Sequence, residues 1–562
     1  MVGDSAYLNR FRQQVERVPE RVACGFLGDG ENLTATLTYG ELDVRARTIA
    51  DQLQGRLAAG SRAILQAEPH PDFAAAFFGC LYAGVIAVPV AAPAPPRPDV
   101  GMERLLRIVG DAGAEALLLS GDLPVELPAG VAAIRVDRPG GDPAGWRDPG
   151  VRPETIAFLQ YTSGSTRIPR GAVVGHGNLA ANLDALGHAL AVPPGSTSVS
   201  WLPLYHDMGL IAGLLLAASS GGTAYLMSPL HFLQRPVRWL SAVSTHHGFI
   251  SGAPNFAYDL AVSKVTDEQA AGLDLSCWQV AFNGAEPVRP ATVERFGERF
   301  APFGLRPENV IGCYGLAEGT LIVSGCTNTD PKSVAVDRDG IEHDQVREPV
   351  PGEPVTRLAT CGRVPPGVRL EIVDPADRVA LPPDTVGEVW VAGPSVVRGY
   401  WGGAADPSLG ARLGDDPTPF LRTGDLGFVH NGLLYLSGRI KDLLIVRGRN
   451  VQPHEVEDAA QAAHRLIRPG GCAAFHLDDV RIALVAETSA GDDFAEVAAV
   501  VRQAVLADQQ VALAAVFLVP ARAVPKTTSG KVRRQACRQL LTSGQLDVLF
   551  EDRDPSQFAV VS

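Results

Sequence analysis

Residues 63–90 read AILQAEPHPDFAAAFFGCLYAGVIAVPV. Residues 63–66 and 85–90 are short, apolar and strand-like, and the run between them, ending at Ala83, has the length and composition of a helix. Two strands joined through a helix pair in parallel, because a tight hairpin serves only antiparallel neighbours. Residues 73–96 carry no charge and are long enough to cross a bilayer. Gly79, Gly84, Pro89 and the Pro-rich end fit a buried helix followed by a buried strand better. The alternation continues on both sides. Thr38 can cap a helix starting at Tyr39, with Leu42, Ala46, Ile49, Ala50 and Leu53 on one face. A helix from about Met102 leads to strand-like 116–120, and 155–161 is strand-like again. Such a series predicts parallel sheets covered by helices, with ligands where strands end.

The whole chain has 562 residues, 46% of them hydrophobic and 20% charged, so packed cores are expected and disorder is not. A net charge of −13 without basic tracts argues against a nucleic-acid partner or an anionic membrane surface. Cysteines 24, 80, 277, 313, 326, 361, 472 and 537 form no CxxC pair, which points to reduced, buried thiols. Residues 1–10 lack a signal-peptide pattern, so a cytoplasmic location and no membrane span are expected.

Residues 324–360 are polar and rich in Asp and Pro, and read as an insertion or an irregular β segment. Residues 369–373 and 388–392 look like strands of a small β-rich unit. A boundary falls near Ser437-Gly438-Arg439, dividing 1–437 from 438–562, and residues from Phe550 read as a loose tail.

The strand at 155–161 runs into Thr162-Ser163-Gly164-Ser165-Thr166-Arg167, with Arg170 beyond. Small hydroxyl residues around a glycine let N–H and O–H groups converge on phosphate oxygens, although an ordinary surface turn has the same composition. Eight further blocks follow in order: 201–210, 232–240, 252–258, 282–287, 314–318, 422–426, 438–442 and 525–531. Over nearly its whole length the chain resembles the adenylate-forming superfamily, and specifically the fatty acyl-AMP ligases.

That resemblance implies an α/β fold: a large N-terminal adenylating domain of helix-covered parallel sheets with a β-rich subdomain, and a small mobile α+β C-terminal domain. It also implies ATP and Mg²⁺ as cofactors. Thr162, Ser163, Gly164, Ser165, Thr166 and Arg170 would hold phosphates. Gly284, Ala285 and Glu286 would line one side of the adenine, with Tyr314 and Gly315 on the other. Asp425 would accept both ribose hydroxyls, whose spacing suits a carboxylate's two oxygens. Arg439 would assist at ribose or phosphate. Glu318 would hold the metal, a hard ion that takes few carboxylates plus phosphates. His206 would stand at the mouth of the acyl site, though read bare it could equally be a core histidine. Phe256, Tyr258 and Gly213 are candidate pocket walls.

Only five of the 49 basic residues are lysines, at 264, 332, 441, 526 and 531, and three of them lie inside these blocks. Lys531 resembles the catalytic lysine that contacts carboxylate and α-phosphate, a task suited to a compact point charge. Lys441 resembles the hinge between half-reactions. Arg167 stands where the family has Gly, and Arg170 where it has Lys. If a positive φ is needed at 167, Arg would strain or reshape the loop. Residues 324–360 fall where these ligases carry an extra segment associated with the position of the C-terminal domain and with poor use of free CoA.

The expected reaction activates a fatty or related carboxylic acid to acyl-adenylate and passes it to the phosphopantetheine thiol of an acyl carrier protein. An acyl-CoA ligase shares the first half-reaction. A catalytically weakened acyl- or adenylate-binding protein is the alternative of another class, with Arg167 as its support.

Overall fold

The computed structural model describes residues 6–93, 98–121, 127–162, 170–403, 406–478, 480–489, 493–527 and 530–555. The stretch around residue 73 forms the helix Pro71–Ala83, every residue of it buried, followed by the wholly buried strand Ile86–Val90. Gly84 ends the helix at φ +69°, a left-handed turn that glycine adopts without a Cβ penalty. Among the described residues no helix is long and apolar enough to cross a membrane.

Strands Arg62–Gln66 and Ile86–Val90 pair in parallel within a six-stranded sheet that also holds Ala116–Leu119, Ala132–Arg135, Ile156–Thr162 and Arg170–Gly175. Thr38 caps the helix Tyr39–Gln54 in a reciprocal capping box. The Glu41 N–H donates to Thr38 Oγ1 at 3.1 Å, and the Thr38 N–H donates to Glu41 Oε2 at 2.8 Å. Leu42, Ala46, Ile49, Ala50 and Leu53 are its buried face. The next helix is Pro98–Ala112, starting before Met102. Pro98 is pre-set for the first helical position, although in sequence it closes a proline run that reads as loop.

A second, eight-stranded sheet places Thr197–Ser200, Ile250–Ala253, Val280–Asn283 and Val310–Gly315 side by side and parallel. Their carboxyl ends therefore lie on one edge. Residues 201–207, 254–256, 284–286 and 316–318 leave from that edge, the usual ligand position of such sheets.

The polar stretch 324–360 is more regular than its composition suggests. Ser333–Asp337 pairs antiparallel with Val355–Gly362, which joins a third sheet through Leu433–Arg439. The short helix Arg338–Glu342 lies between them. The strand Leu433–Arg439 also runs straight through the expected boundary at 437. Gly438 is not a break: it lies within the strand, and the end of the Gln452 side chain occupies the space a Cβ would take. Beyond Leu444 the chain builds clusters of its own around Val501, Leu484, Phe517 and Cys537, distinct from those of the preceding part. Phe550–Arg553 is a paired strand of this unit rather than a loose tail. Arg502 fixes it by reaching Asp552 at 2.7 Å. All eight cysteines are free thiols, six of them buried.

Candidate active site

Asp425 and Arg439 are register partners on neighbouring strands of the third sheet. Asp425 is 5% exposed. Its Oδ1 accepts from Arg439 Nε at 2.5 Å, and its Oδ2 accepts from the Tyr314 hydroxyl at 2.7 Å. Burial, with the Asp425 charge beside it, holds the Tyr314 phenol well above its ordinary value. Asp425 in turn pulls the Arg439 guanidinium upward despite burial. Gly315 closes the strand where a Cβ would run into the Leu321 carbonyl.

The turn facing Tyr314 is held by asparagines. Asn283, fully buried, donates to Asn255 Oδ1 at 2.9 Å, and Asn255 donates to the Pro287 carbonyl at 2.8 Å. The Arg289 N–H donates to the same Asn255 oxygen at 3.0 Å. This lattice fixes Gly284, Ala285 and Glu286 and keeps Ala285 at φ +73°, a conformation that persists only where the surroundings over-determine it. Asn283 Oδ1 is a buried acceptor without a donor among the described residues, and an amine-bearing ring placed there could fill it. Neither asparagine is in the sequence-derived list, although both stand in the quoted blocks.

Glu318 and Arg170 converge on Tyr400. The Tyr400 hydroxyl donates to Glu318 Oε1, and the Arg170 guanidinium lies 3.5 Å from the Tyr400 ring centroid while pairing with Asp406. Burial, then the Glu318 charge, pushes the Tyr400 phenol up. Tyr400 and Asp406 carry no motif and were invisible in the sequence. Thr162 ends its strand opposite Arg170. Ser163, Gly164, Ser165, Thr166 and Arg167 lie outside the described residues.

His206 Nδ1 stands 2.7 Å from Asp207 Oδ1. Asp207 also accepts from the Met208 N–H at 2.8 Å, capping the π-helix Met208–Leu215. Such helices are rare and frequent at functional sites. Gly213 in that helix lies against Ser200, where a Cβ would come within 2.9 Å of the hydroxyl oxygen. Burial raises the Asp207 carboxyl, but His206, the Met208 N–H and Lys531 pull harder, leaving it below the usual value. Asp207 was missed at the sequence level; its one signal is an acid just before an apolar run, the pattern of an N-cap.

Lys531 arrives from the C-terminal unit. Its N–H donates to Thr527 Oγ1 at 3.0 Å, and its carbonyl accepts from the Thr527 N–H at 2.8 Å. Burial and Arg439 push the ammonium below its ordinary value, while Asp207, Glu286 and Asp425 oppose them. Three of the expected nucleotide residues, Glu286, Asp425 and Arg439, thus act on the Lys531 charge together with Asp207. Gly530 sits over the Phe256 ring, which lies 6.1 Å from Trp201. Tyr258, expected as a pocket wall, is instead 0% exposed in the aromatic core beside Trp239 and Phe296. Its hydroxyl is spent on the Phe282 carbonyl at 2.8 Å. Tyr258 fits the periodicity of a wall equally well, and only the packing separates the two. Lys441 is exposed just past the strand, and the adjoining Asp442 meets Arg534 at 3.3 Å.

A family model described as AMP-binding enzyme matches residues 11–401. The chain belongs to the AMP-binding enzymes. A second model, the AMP domain of the Disco-interacting protein 2-like kind, matches residues 441–549. Among AMP-binding enzymes of known kind, the chain is 37% identical to a medium-chain-fatty-acid–[acyl-carrier-protein] ligase of Moorena producens, over 94% of this chain and 93% of that protein. It is 36% identical to a long-chain-fatty-acid–AMP ligase of Mycobacterium marinum, over 95% of this chain and 97% of that one. A solved structure from work on fatty acyl-adenylate ligases of E. coli and L. pneumophila superposes with a TM-score of 0.88 at 30% identity, covering 97% of this chain and 99% of that one. AMP-binding enzymes that form adenylates use ATP, and the expected α/β adenylating fold is the fold found here.

Proposed function

We propose that this chain, in the cytoplasm, converts a fatty acid and ATP to acyl-adenylate and pyrophosphate, then passes the acyl group to the phosphopantetheine thiol of a carrier protein. The observation that carries the reading is the placement of Lys531 among Asp207, Glu286, Asp425 and Arg439. In the first step a carboxylate oxygen attacks the α-phosphorus, the bond to the β-phosphoryl oxygen breaks, and pyrophosphate leaves. Lys531 lies where negative charge builds on the carboxylate and α-phosphate. A fixed cation in a site shielded from water stabilises that charge without reorganising. Asp425 binds the ribose, and the Gly284–Glu286 turn and Tyr314 hold the base. His206, Phe256 and Gly213 border the acyl group. In the second step the thiol sulfur attacks the acyl carbon, the bond to AMP breaks, and the thiol proton passes to solvent.

Mg²⁺ fits this donor set. Among the described residues no three acidic, His or Cys side chains converge, and Glu318 supplies one carboxylate, as expected for an ion held mainly by substrate phosphates. When bound, the ion would neutralise phosphate charge, and Glu318 would hold it.

The parts before and after the end of the strand Leu433–Arg439 are read as turning about Lys441 between steps. Segment 324–360 is read as the restraint on that movement. Glu342 meets Arg449 at 2.8 Å, Asp344 accepts from Asn450 at 3.0 Å, and Arg338 donates to the Asp508 carbonyl. The test is fatty-acid-dependent release of pyrophosphate together with mass-spectrometric detection of acyl-adenylate, across acids of graded length. Absence of adenylate with every acid would leave a binding protein.

A further inference from the structure

Arg289 lies where two elements meet. It follows the turn that carries Gly284, Ala285 and Glu286, and it precedes the helix Pro290–Phe300. The first hydrogen bonds of that helix end on its carbonyl, which accepts from the Thr292 N–H at 3.1 Å and the Val293 N–H at 3.3 Å. Its own N–H donates to Asn255 Oδ1 at 3.0 Å, and the Asn283 amide donates to the same oxygen at 2.9 Å. The backbone of Arg289 is thereby fixed to the lattice that shapes the nucleotide turn. Its guanidinium leaves that lattice and meets Asp458 Oδ1, on the helix Pro453–Ala463 of the C-terminal unit, at 3.0 Å.

Asp458 continues the connection toward Lys531. Its helix neighbour Glu457 is buried and receives both arms of Arg534, Nε on Oε1 and Nη2 on Oε2, each at 2.7 Å. The Ala474 N–H donates to the same Oε1 at 2.9 Å. A bidentate pair of this kind fixes orientation as well as distance. Arg534 stands three residues past Lys531 and also reaches Asp442, beside Lys441, at 3.3 Å. A series of contacts thus runs from the nucleotide turn through Arg289, Asp458, Glu457 and Arg534 to the loop that carries Lys531. Within it, the Arg289–Asp458 pair joins the two parts of the chain. It is also the link that water reaches: its side chains are 34% and 40% exposed, against 5% for Glu457.

We propose that Arg289 is a positioning residue for the first half-reaction: its ion pair with Asp458 seats the C-terminal unit, and Lys531 with it, against the nucleotide turn. The pair opens when the unit turns for transfer. The proposal rests on the adenylating reading for the two half-reactions; the seating itself does not depend on it. An ion pair open to water biases a two-state arrangement by about 2- to 5-fold. That modest size suits a contact made and broken in every cycle. A fully buried pair would hold the unit shut, because breaking it leaves uncompensated charge.

The test uses the full chain with Arg289→Gln, Arg289→Glu, Asp458→Arg and the reversed pair, Arg289→Glu with Asp458→Arg. Pyrophosphate release measures the first half-reaction, and transfer from pre-formed acyl-adenylate to free pantetheine measures the second. Hydrogen exchange over the helix Pro453–Ala463 reads the seating without catalysis. Arg289→Gln is expected to lower kcat for adenylation by about 2- to 5-fold. The ATP KM stays unchanged, because the N–H that reaches Asn255 belongs to the backbone and is kept. Transfer does not slow, and exchange in that helix quickens although the substitution lies in the other part. Arg289→Glu costs more than Arg289→Gln, and the reversed pair recovers most of the loss. A reversed pair no better than Arg289→Glu alone overturns the proposal. So does an equal loss in both half-reactions, or exchange that stays as in wild type. If wild type makes no adenylate while the reversed pair restores the exchange that Arg289→Glu quickens, the seating stands and the reaction assignment falls.

Discussion

The Tyr314 hydroxyl donates to Asp425 Oδ2 at 2.7 Å while Arg439 Nε occupies Oδ1 at 2.5 Å. Each oxygen keeps a lone pair, so a ribose can still be received, but by a carboxylate already fixed in orientation. Asp425→Asn keeps the shape and removes the charge. It is expected to raise the ATP KM by about 10- to 100-fold, the range for a hydrogen bond to a charged group. Tyr314→Phe leaves the carboxylate charged and is expected to cost much less. Equal losses for the two, in initial-rate kinetics, would mean that Asp425 acts through Tyr314 rather than on the ribose.

Lys531→Ala is expected to lower adenylate formation by about 10²- to 10³-fold with ATP binding retained. The pH profile supplies a second check. The ammonium is held below the ordinary lysine value by burial and by Arg439, against Asp207, Glu286 and Asp425. The rate needs the cation, so activity is lost as pH rises through this lowered value. Asp207→Asn removes one opposing anion and is expected to move the alkaline limb to still lower pH. An alkaline limb that stays in place would detach Asp207 from Lys531.

The alternation that builds the sheets was legible because Thr38 and Gly84 act locally, as cap and stop. Lys531 and Asp425 were legible through resemblance, since neither has a local signal stronger than its residue type. Asp406, Tyr400 and the Asn255–Asn283 lattice were not, because their roles arise from contacts between residues far apart in sequence. Gly438 misled for a related reason. A glycine that admits Gln452 from another element looks, in sequence, like one that ends a strand.

Tyr258 and Phe256 separate core from pocket. Tyr258→Phe removes the donor to the Phe282 carbonyl and is expected to cost about 1–3 kcal/mol of stability, the penalty for a buried group left unpaired. The preferred acid length should not move. Phe256→Ala is expected to do the reverse, changing acid preference with a small loss of stability. Melting curves and competition between acids of different length distinguish them, and a shifted preference in Tyr258→Phe would return that residue to the pocket.

Glu455 gives stability its own pH dependence. Burial pushes its carboxyl up to about 7; Glu342 and Asp458 add to this, while the Gln452 N–H and Arg338 oppose it. Asp458 is likewise raised, to about 6, chiefly by burial and against Arg289. A raised folded value contributes stability that is complete below the unfolded value, about 4 for either acid, and is lost as pH rises through the folded one. The melting temperature should therefore fall between about pH 4 and 7 from these groups. Glu455→Gln keeps the capping geometry and should flatten that fall. A slope identical to wild type would remove Glu455 as its source.

The acceptor prediction rests on segment 324–360 and its hold on the C-terminal unit. With equal thiol concentrations, pre-formed acyl-adenylate should acylate a cognate holo carrier faster than CoA, because protein contacts raise the carrier thiol's effective concentration. Glu342→Gln with Asp344→Asn weakens the contacts to Arg449 and Asn450 without touching the nucleotide residues. The double variant is expected to keep its adenylation rate and to form more acyl-CoA than wild type, because the C-terminal unit turns more freely. Thioester formation with each acceptor is followed by mass spectrometry. If wild type acylates CoA as fast as any carrier, the chain is an acyl-CoA ligase and the segment restrains nothing that matters to the acceptor. If the variant loses adenylation instead, the contacts serve the first half-reaction by holding Lys531 in place.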